Sequence, residues 1–460
     1  MIPVHRRSIE GDPGRLFDLH ASLPDRYPAL LESVARSDTL GRFDLLFAHP
    51  RYAISKSRDG MVRATDCADV ASSFLDELDR RFQREHCAPA DSSLPFTGGW
   101  LVLLGYEIAG EIEARLQLPP ARSTAAQAVA LRIPAALIYD HTARRLHLLA
   151  ETSHEHLLAE MAADLAACPR GVPATPVTLR ALQEEEPERF LEGVRRVKEY
   201  IAAGDVYQVN LSRAWHGQLE LGGASDGAAL AANLYRALRL ANPAPFAASV
   251  HVPGQVVLSS SPERLFSIRG GEISTRPIAG TRPRSHQPGA DVSEKALLAA
   301  HPKERAEHVM LIDLERNDLG RVCEPGSVRV DEFMALESYE HVHHIVSNVR
   351  GRLRPGTTPG RVLRAVFPGG TITGCPKVRC MQIIAELENE GRGAYTGSLG
   401  YLNRDGSGDF NILIRTMSLE HDRVTLRAGA GIVADSDAQR ELAETRAKAR
   451  GLLRALGRDA

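Results

Sequence analysis

The chain has 460 residues, of which 43% are apolar and 25% charged, and its formal net charge is −2. Such a composition belongs to a soluble globular protein with two or three domain-sized units or one large core. It excludes a general electrostatic pull toward nucleic acid or membrane, and no apolar run approaches the roughly 18 residues that span a bilayer.

The opening MIPVHRRSIEGD has no apolar core behind its basic residues, so no secretory signal is expected. Residues 42–57 and 132–151 read as strands and turns, and residues 69–85 and 154–167 as amphipathic helices. The stretch CPRGVPATPVTLRALQEEEPE combines prolines, small residues and an acidic run, as a linker does. The expected organisation is an N-terminal region at 1–170, a linker at 171–189 and a larger C-terminal region at 190–460. Beyond the linker, Phe190, Val194, Val197 and Ile201 recur at helical spacing, and Gly204 closes the run. In DVYQVNLSRAW, Tyr207, Val209 and Leu211 alternate with Gln208, Asn210 and Ser212. That pattern is a strand whose polar face meets either solvent or a ligand. Further strands are read in GQVVLSSSPERLFSI, AYTGSLGYLN and FNILIRTMSLEH, several joined by hairpin-like turns. The class is α+β with largely antiparallel sheets. Six scattered cysteines without C-x-x-C spacing read as reduced thiols of a cytoplasmic protein. Only six residues are lysine (56, 198, 295, 303, 377 and 448), which limits the amines open to covalent chemistry.

Three stretches carry candidate chemistry. HPKERAEHVMLIDLERNDLGRV reads as a helix in which Glu307 shares a stripe with Met310, Leu311 and Leu314, with Glu304 one turn earlier. A carboxylate on an apolar stripe has to be ion-paired or metal-bound. Near the chain end, Asp435 or Ser436 is expected to cap a helix in which Glu441, Glu444 and Lys448 follow at i, i+3 and i+7. An exposed Glu–Lys pair and a carboxylate ligand set for Mg2+ both suit that spacing. FPGGTITGCPKVRCMQIIAELE reads as a glycine-rich turn entering a helix with Pro376 at its first position. Its free N–H groups and Lys377 suit either a plain cap or an anion. Arg415, with RAGAGIVAD read as a loop, adds a guanidinium and exposed N–H groups fit for a small dicarboxylate.

These motifs occur in order with GDVYQVNLSR, SSSPERLF, RPIAGTRPR, HVHHIVSNVRG, AYTGSLGY and IRTMSLE. Together they resemble the chorismate-binding enzymes, which include anthranilate synthase component I, aminodeoxychorismate synthase component I, and isochorismate and salicylate synthases. The match runs from about residue 190 to the end; RYPALLESV and GGWLVLLGYE resemble the family's first region more weakly. The resemblance implies an anthranilate-synthase-type α/β sandwich, two large mainly antiparallel sheets facing each other with helices outside. Carried over by position, Glu307 and Glu444 match Mg2+ ligands, and Glu304 and Glu441 the acidic positions beside them. Gly280, Thr281, Tyr395, Arg415, Gly429, Ala430, Gly431 and Lys448 match positions that hold chorismate. Glu263 matches the acid near the C4 hydroxyl, His344 a catalytic histidine and Thr371 a ring-facing hydroxyl.

Members of the family that add water carry lysine where this chain has Gln208, so ammonia is the expected nucleophile. No amidotransferase segment is recognisable, so ammonia is expected from a separate glutamine amidotransferase subunit in a heterodimer. Many aminodeoxychorismate synthases have a nucleophilic lysine where this chain has Ala279, whereas anthranilate synthases have alanine. The segments HVHHIVS, GGTITGCPKVRC and NPAPFAA resemble aminodeoxychorismate synthase instead. The expected function is aminodeoxychorismate synthase component I, of p-aminobenzoate and folate biosynthesis, with anthranilate synthase component I the alternative. LLES at residues 30–33 resembles the family's tryptophan-pocket segment, although Phe246-Ala247 departs from its usual Tyr-Met partner.

Overall fold

The computed structural model describes residues 4–35, 41–89, 93–171, 175–220, 227–284, 291, 295–298, 300–338 and 342–458, with the side chains of 281–283, 303 and 342 outside that set. The strand Ala135–Asp140 shows how the layers form. Its sequence AALIYD is apolar at nearly every position, so both faces can be buried. Ala136 and Ile138 point to a core shared with Leu101, Val129 and Leu399 of the opposite sheet. Ala135, Leu137 and Tyr139 point the other way, into a core shared with Leu16, Met161 and Leu234 of the covering helices.

Two sheets result, of 12 and 11 strands among the described residues. Every paired ladder between their named strands is antiparallel. The first sheet ends in the order Phe246–Val252, Gln255–Ser261, Thr416–Glu420, Arg423–Ile432, Gln208–Leu219, Leu179–Glu184. The second begins Ile278–Pro283, Val342–Arg352, Glu272–Thr275, Arg264–Arg269, Gly408–Ile412, Ser398–Asn403. Helices Gly14–Ser22, Leu157–Ala167, Gly227–Ala241 and Ala438–Ala455 pack on the outer face of the first sheet. Phe74–Glu85, Pro302–Gly320 and Pro359–Val366 pack on that of the second. The expected two facing sheets with helices outside are therefore present.

Each sheet takes strands from both sides of residues 171–189, so that stretch joins two parts of one layered core. Part of it is itself a strand, Leu179–Glu184, which pairs with Gln208–Leu219 at the sheet edge. Among the described residues no helix is long and apolar enough to cross a membrane.

Two long apolar stretches read as single strands each divide between the sheets. Gln255–Ser261 belongs to the first sheet and Arg264–Arg269 to the second, with only Pro262 and Glu263 between them. Gly408–Ile412 belongs to the second and Thr416–Glu420 to the first, with residues 413–415 as the crossing. The crossings are stitched together. The Ile412 amide donates to the Glu263 carbonyl at 3.0 Å, and the Ser260 amide to the Arg415 carbonyl at 3.0 Å. Arg415 adopts a left-handed φ of 51°, unusual for a side-chain-bearing residue and typical of functional corners. Glu263 and Arg415 thus start from one rigid corner between the sheets.

Candidate active site

That corner opens into a cavity of about 570 Å3. Strand alternation selects its wall from Gln208–Leu219: Gln208 and Asn210 face the cavity, while Val209 and Leu211 face helices Pro187–Ala202 and Lys377–Glu388. The neighbouring strand Arg423–Ile432 presents Gly429 and Gly431, in register with Ser212 and Asn210. The glycines allow close approach of side chains to the backbone. A Cβ at 431 would lie 2.2 Å from Gln208 Nε2, and one at 429 would lie 2.8 Å from both Asn210 Oδ1 and the Tyr395 hydroxyl. Helix Pro302–Gly320 contributes Glu304, Glu307 and Leu311, one turn apart along one face. Helix Ala438–Ala455 contributes Glu441, Glu444 and Lys448. Ala279, Gly280, His344, Thr371 and Tyr395 complete the expected set that lines the cavity.

One expected position does not, and one is not placed. The Ala430 methyl is fully buried among Val209, Met381 and Ile432, because alternation turns it away from the face that Gly429 and Gly431 share. Thr281 pairs with His344 in the ladder, and its side chain lies outside the described residues. Four local readings change as well. RAGAGI is strand and not loop: it pairs with Gln208–Leu219 on one side, whereas Thr416–Glu420 on the other side pairs no further than Leu426. Helix Lys377–Glu388 starts after Pro376, and Lys377 binds Asp318 at 2.5 Å instead of lining the cavity. The C-terminal helix is capped by Asp437, whose side chain accepts from the Arg440 amide at 3.0 Å. Tyr207 precedes its strand and is exposed.

The charges in the cavity differ sharply in environment. The Glu263 carboxyl is 6% exposed. Burial pushes it up to about 7, against the pull of the Thr371 hydroxyl, the Lys448 charge and the Ile278 backbone. Burial holds His344 down at about 4, opposed by its hydrogen bond to the Gly280 backbone and assisted by Arg415, so its imidazole is neutral near pH 7. Burial lowers the Arg415 guanidinium somewhat, and Tyr395 and Glu444 partly restore it. Gln208 Nε2 donates to Glu307 Oε1 at 3.0 Å. Lys448 Nζ reaches Glu444 Oε1 at 2.7 Å and the Gly429 carbonyl at 3.0 Å. The buried Gln208 Oε1, Asn210 Oδ1 and Thr371 Oγ1 have no hydrogen-bond partner within the protein.

Four glutamates offer oxygen donors from two helices, 304 and 307 facing 441 and 444. No three His, Cys, Asp or Glu among the described residues form a group able to hold a metal ion unaided. Such a donor set fits Mg2+, which keeps several waters and takes one or two carboxylates together with an anionic substrate.

Asn210 and Arg427, which are not among the expected site residues, also line the cavity. Each lies two residues from a recognised position on the same strand face, Gln208 and Gly429. That spacing was the available signal. A second cavity, of about 650 Å3, lies between the sheets and is lined by Leu31, Glu32, Ser33, Pro245, Phe246 and Ala247 among others. Residues 30–32 there are strand, and Glu32 is bound by the Tyr235 hydroxyl at 2.8 Å and by Arg239 at 3.0 Å.

Comparison with known proteins agrees with this geometry. The model of the chorismate binding enzyme family matches residues 35–454. Anthranilate synthase component 1 of Streptomyces coelicolor is 41% identical over 483 aligned positions, covering 100% of this chain and 89% of that protein. Aminodeoxychorismate synthase component 1 of Klebsiella aerogenes is 38% identical over 444 positions, covering 93% of each. The crystal structure of anthranilate synthase component I from Streptococcus pneumoniae aligns with a TM-score of 0.78 at 31% identity, covering 89% of this chain and 92% of that one. With sheets, cavity and sequence in agreement, the chain belongs to the chorismate-binding enzyme family.

Proposed function

We propose that the protein aminates chorismate with ammonia, as the first component of an aminodeoxychorismate synthase. The observation that carries amination is Gln208. A neutral amide, held at 3.0 Å from Glu307, stands where a base for water would be needed. Glutamine cannot take a proton from water, whereas ammonia attacks as the neutral species and needs no base. Relatives named "component 1" support a glutamine amidotransferase subunit as the ammonia source.

Chorismate carries two carboxylates and a C4 hydroxyl that leaves poorly unless protonated. Arg415 and the Tyr395 hydroxyl offer cationic and donor contacts to one carboxylate. Glu307 and Glu444, flanked by Glu304 and Glu441, would hold Mg2+, which supplies divalent charge for the ring carboxylate when bound. Glu263, protonated up to about pH 7, gives its proton to the departing C4 oxygen. His344, neutral and bonded to Gly280, orients without adding a charge that Arg415 would oppose.

Amination at C4 requires transient occupation of C2. Ala279 lines the cavity but has no nucleophile, and Lys377 and Lys448 are both ion-paired. A first molecule of ammonia, which needs no base, adds at C2 instead. The ring double bonds shift, the C4–O bond breaks, and Glu263 supplies the proton that releases water. Ammonia then bonds to C4 as the double bonds return and the C2 substituent leaves, giving 4-amino-4-deoxychorismate. The HVHHIVS, GGTITGCPKVRC and NPAPFAA segments favour this product. One observation favours anthranilate: Ala279, 6% exposed in the cavity wall, leaves C2 open to direct attack by ammonia. Incubation with chorismate, Mg2+ and ammonium, with and without the pyridoxal-phosphate lyase that forms p-aminobenzoate, separates the two. p-Aminobenzoate only with the lyase supports the proposal; fluorescent anthranilate without it overturns the product assignment.

A further inference from the structure

Behind the cavity lies a buried charge cluster that the chemistry above does not use. Glu388, the last residue of helix Lys377–Glu388, is 4% exposed, and Arg392 is 3% exposed. Glu388 Oε1 accepts from the Ser212 amide at 2.8 Å, the Ser212 hydroxyl at 2.9 Å and Arg392 Nη2 at 2.6 Å. Its Oε2 accepts from Arg392 Nε and from Arg427 Nη2, both at 3.0 Å. Arg392 also donates to the Asn210 carbonyl at 2.7 Å, the Ile372 carbonyl at 3.1 Å and the Thr396 hydroxyl at 3.3 Å. Every guanidinium N–H of Arg392 is thereby engaged. Its guanidinium also stacks 4.9 Å from the Tyr106 ring and 5.6 Å from the Tyr395 ring.

Neither Glu388 nor Arg392 lines the cavity, yet Asn210, Ile372, Tyr395 and Arg427, which they hold, all do. These four come from separate segments: two adjacent strands, the short turn Gly370–Ile372 and the stretch before Ser398–Asn403. A buried ion cluster is a poor source of stability, because desolvation offsets its Coulombic gain. A planar five-donor fork that stacks on an aromatic ring is, however, well suited to fixing geometry.

We infer that Glu388 and Arg392 are positioning residues, which set the Tyr395 side chain in the orientation that receives the anionic substrate, with Arg427 bound to Glu388 as part of the supporting cluster. This rests on the cavity being the chorismate site. Lysine at 392 keeps a charge for Glu388 but cannot make five donor contacts or stack as a plane. In Arg392→Lys, Kd and KM for chorismate rise at least tenfold while kcat falls less than threefold. In a Tyr395→Phe background the same substitution changes affinity less than threefold, because its effect passes through that side chain. Kd from calorimetry and KM with ammonium are read on the full chain with Mg2+. Neither depends on what fraction of a preparation is folded once the active fraction is titrated. Glu388→Gln, which keeps shape and removes charge, serves the same comparison if Arg392→Lys does not fold. Affinity within twofold of wild type, or effects of the two substitutions that simply multiply, would overturn the inference. Wild-type protein that binds chorismate without aminating it would instead refute the proposed reaction, leaving this test intact.

Discussion

Substitution of Glu263 by glutamine separates the acid from its surroundings. The carboxyl is raised from 4.5 to about 7, chiefly by burial. That shift corresponds to about 3 kcal/mol between the two protonation states. The folded protein holds the proton more tightly than the unfolded chain, so the contribution is fully present below pH 4.5 and is lost as pH rises through 7. Glutamine has no such dependence. Glu263→Gln should therefore gain thermal stability relative to wild type at pH 8, with the difference shrinking toward pH 4.5. Its kcat should fall by about 10²–10⁴-fold, the usual contribution of a positioned general acid. Differential scanning calorimetry across that pH range gives the first result. Chorismate consumption at a fixed concentration of neutral ammonia gives the second and exposes the wild-type limb near pH 7. A variant that keeps activity within tenfold of wild type, with the same pH limb, would refute the assignment of Glu263 as the acid.

Other substitutions test the cavity wall and its ligands. Gly431→Ala places a methyl 2.2 Å from Gln208 Nε2 and should lower kcat/KM more than tenfold; Gly320→Ala, with open space at its Cβ, should change it less than twofold. Glu307→Gln should raise the Mg2+ concentration for half-maximal activity at least tenfold, and chelation should abolish turnover reversibly; both are read by titrating Mg2+ against chorismate loss. Denatured-protein mass spectrometry after chorismate exposure should find no adduct on any lysine, because the cavity amine Lys448 is bound to Glu444 at 2.7 Å. A stable adduct would rule out an external nucleophile at C2.

The sequence made the chemistry more legible than the chain path. Periodicity alone placed Glu304 with Glu307 and Glu441 with Glu444 on single helix faces, and alternation put Gln208 on the polar side of its strand. Spacing could not bring the helices together; the resemblance to a family did. RAGAGI misled because glycines that read as loop serve here to admit Gln208, Asn210 and Tyr395 against a strand backbone. The division of GQVVLSSSPERLFSI and FNILIRTMSLEH between sheets was invisible because both halves of each run read as strand and only two or three residues make the crossing. Glu388 and Arg392 could not be paired with Asn210, Ser212 and Ile372 from sequence, since up to 182 residues separate the partners.

Nitrogen labelling tests the central chemistry most directly. With 15N-ammonium, chorismate and Mg2+, NMR of the product should place 15N on C4 of a ring that keeps its two double bonds and its enolpyruvyl group. Label on C2 of an aromatic ring, or no label in any product while chorismate is consumed, would contradict it.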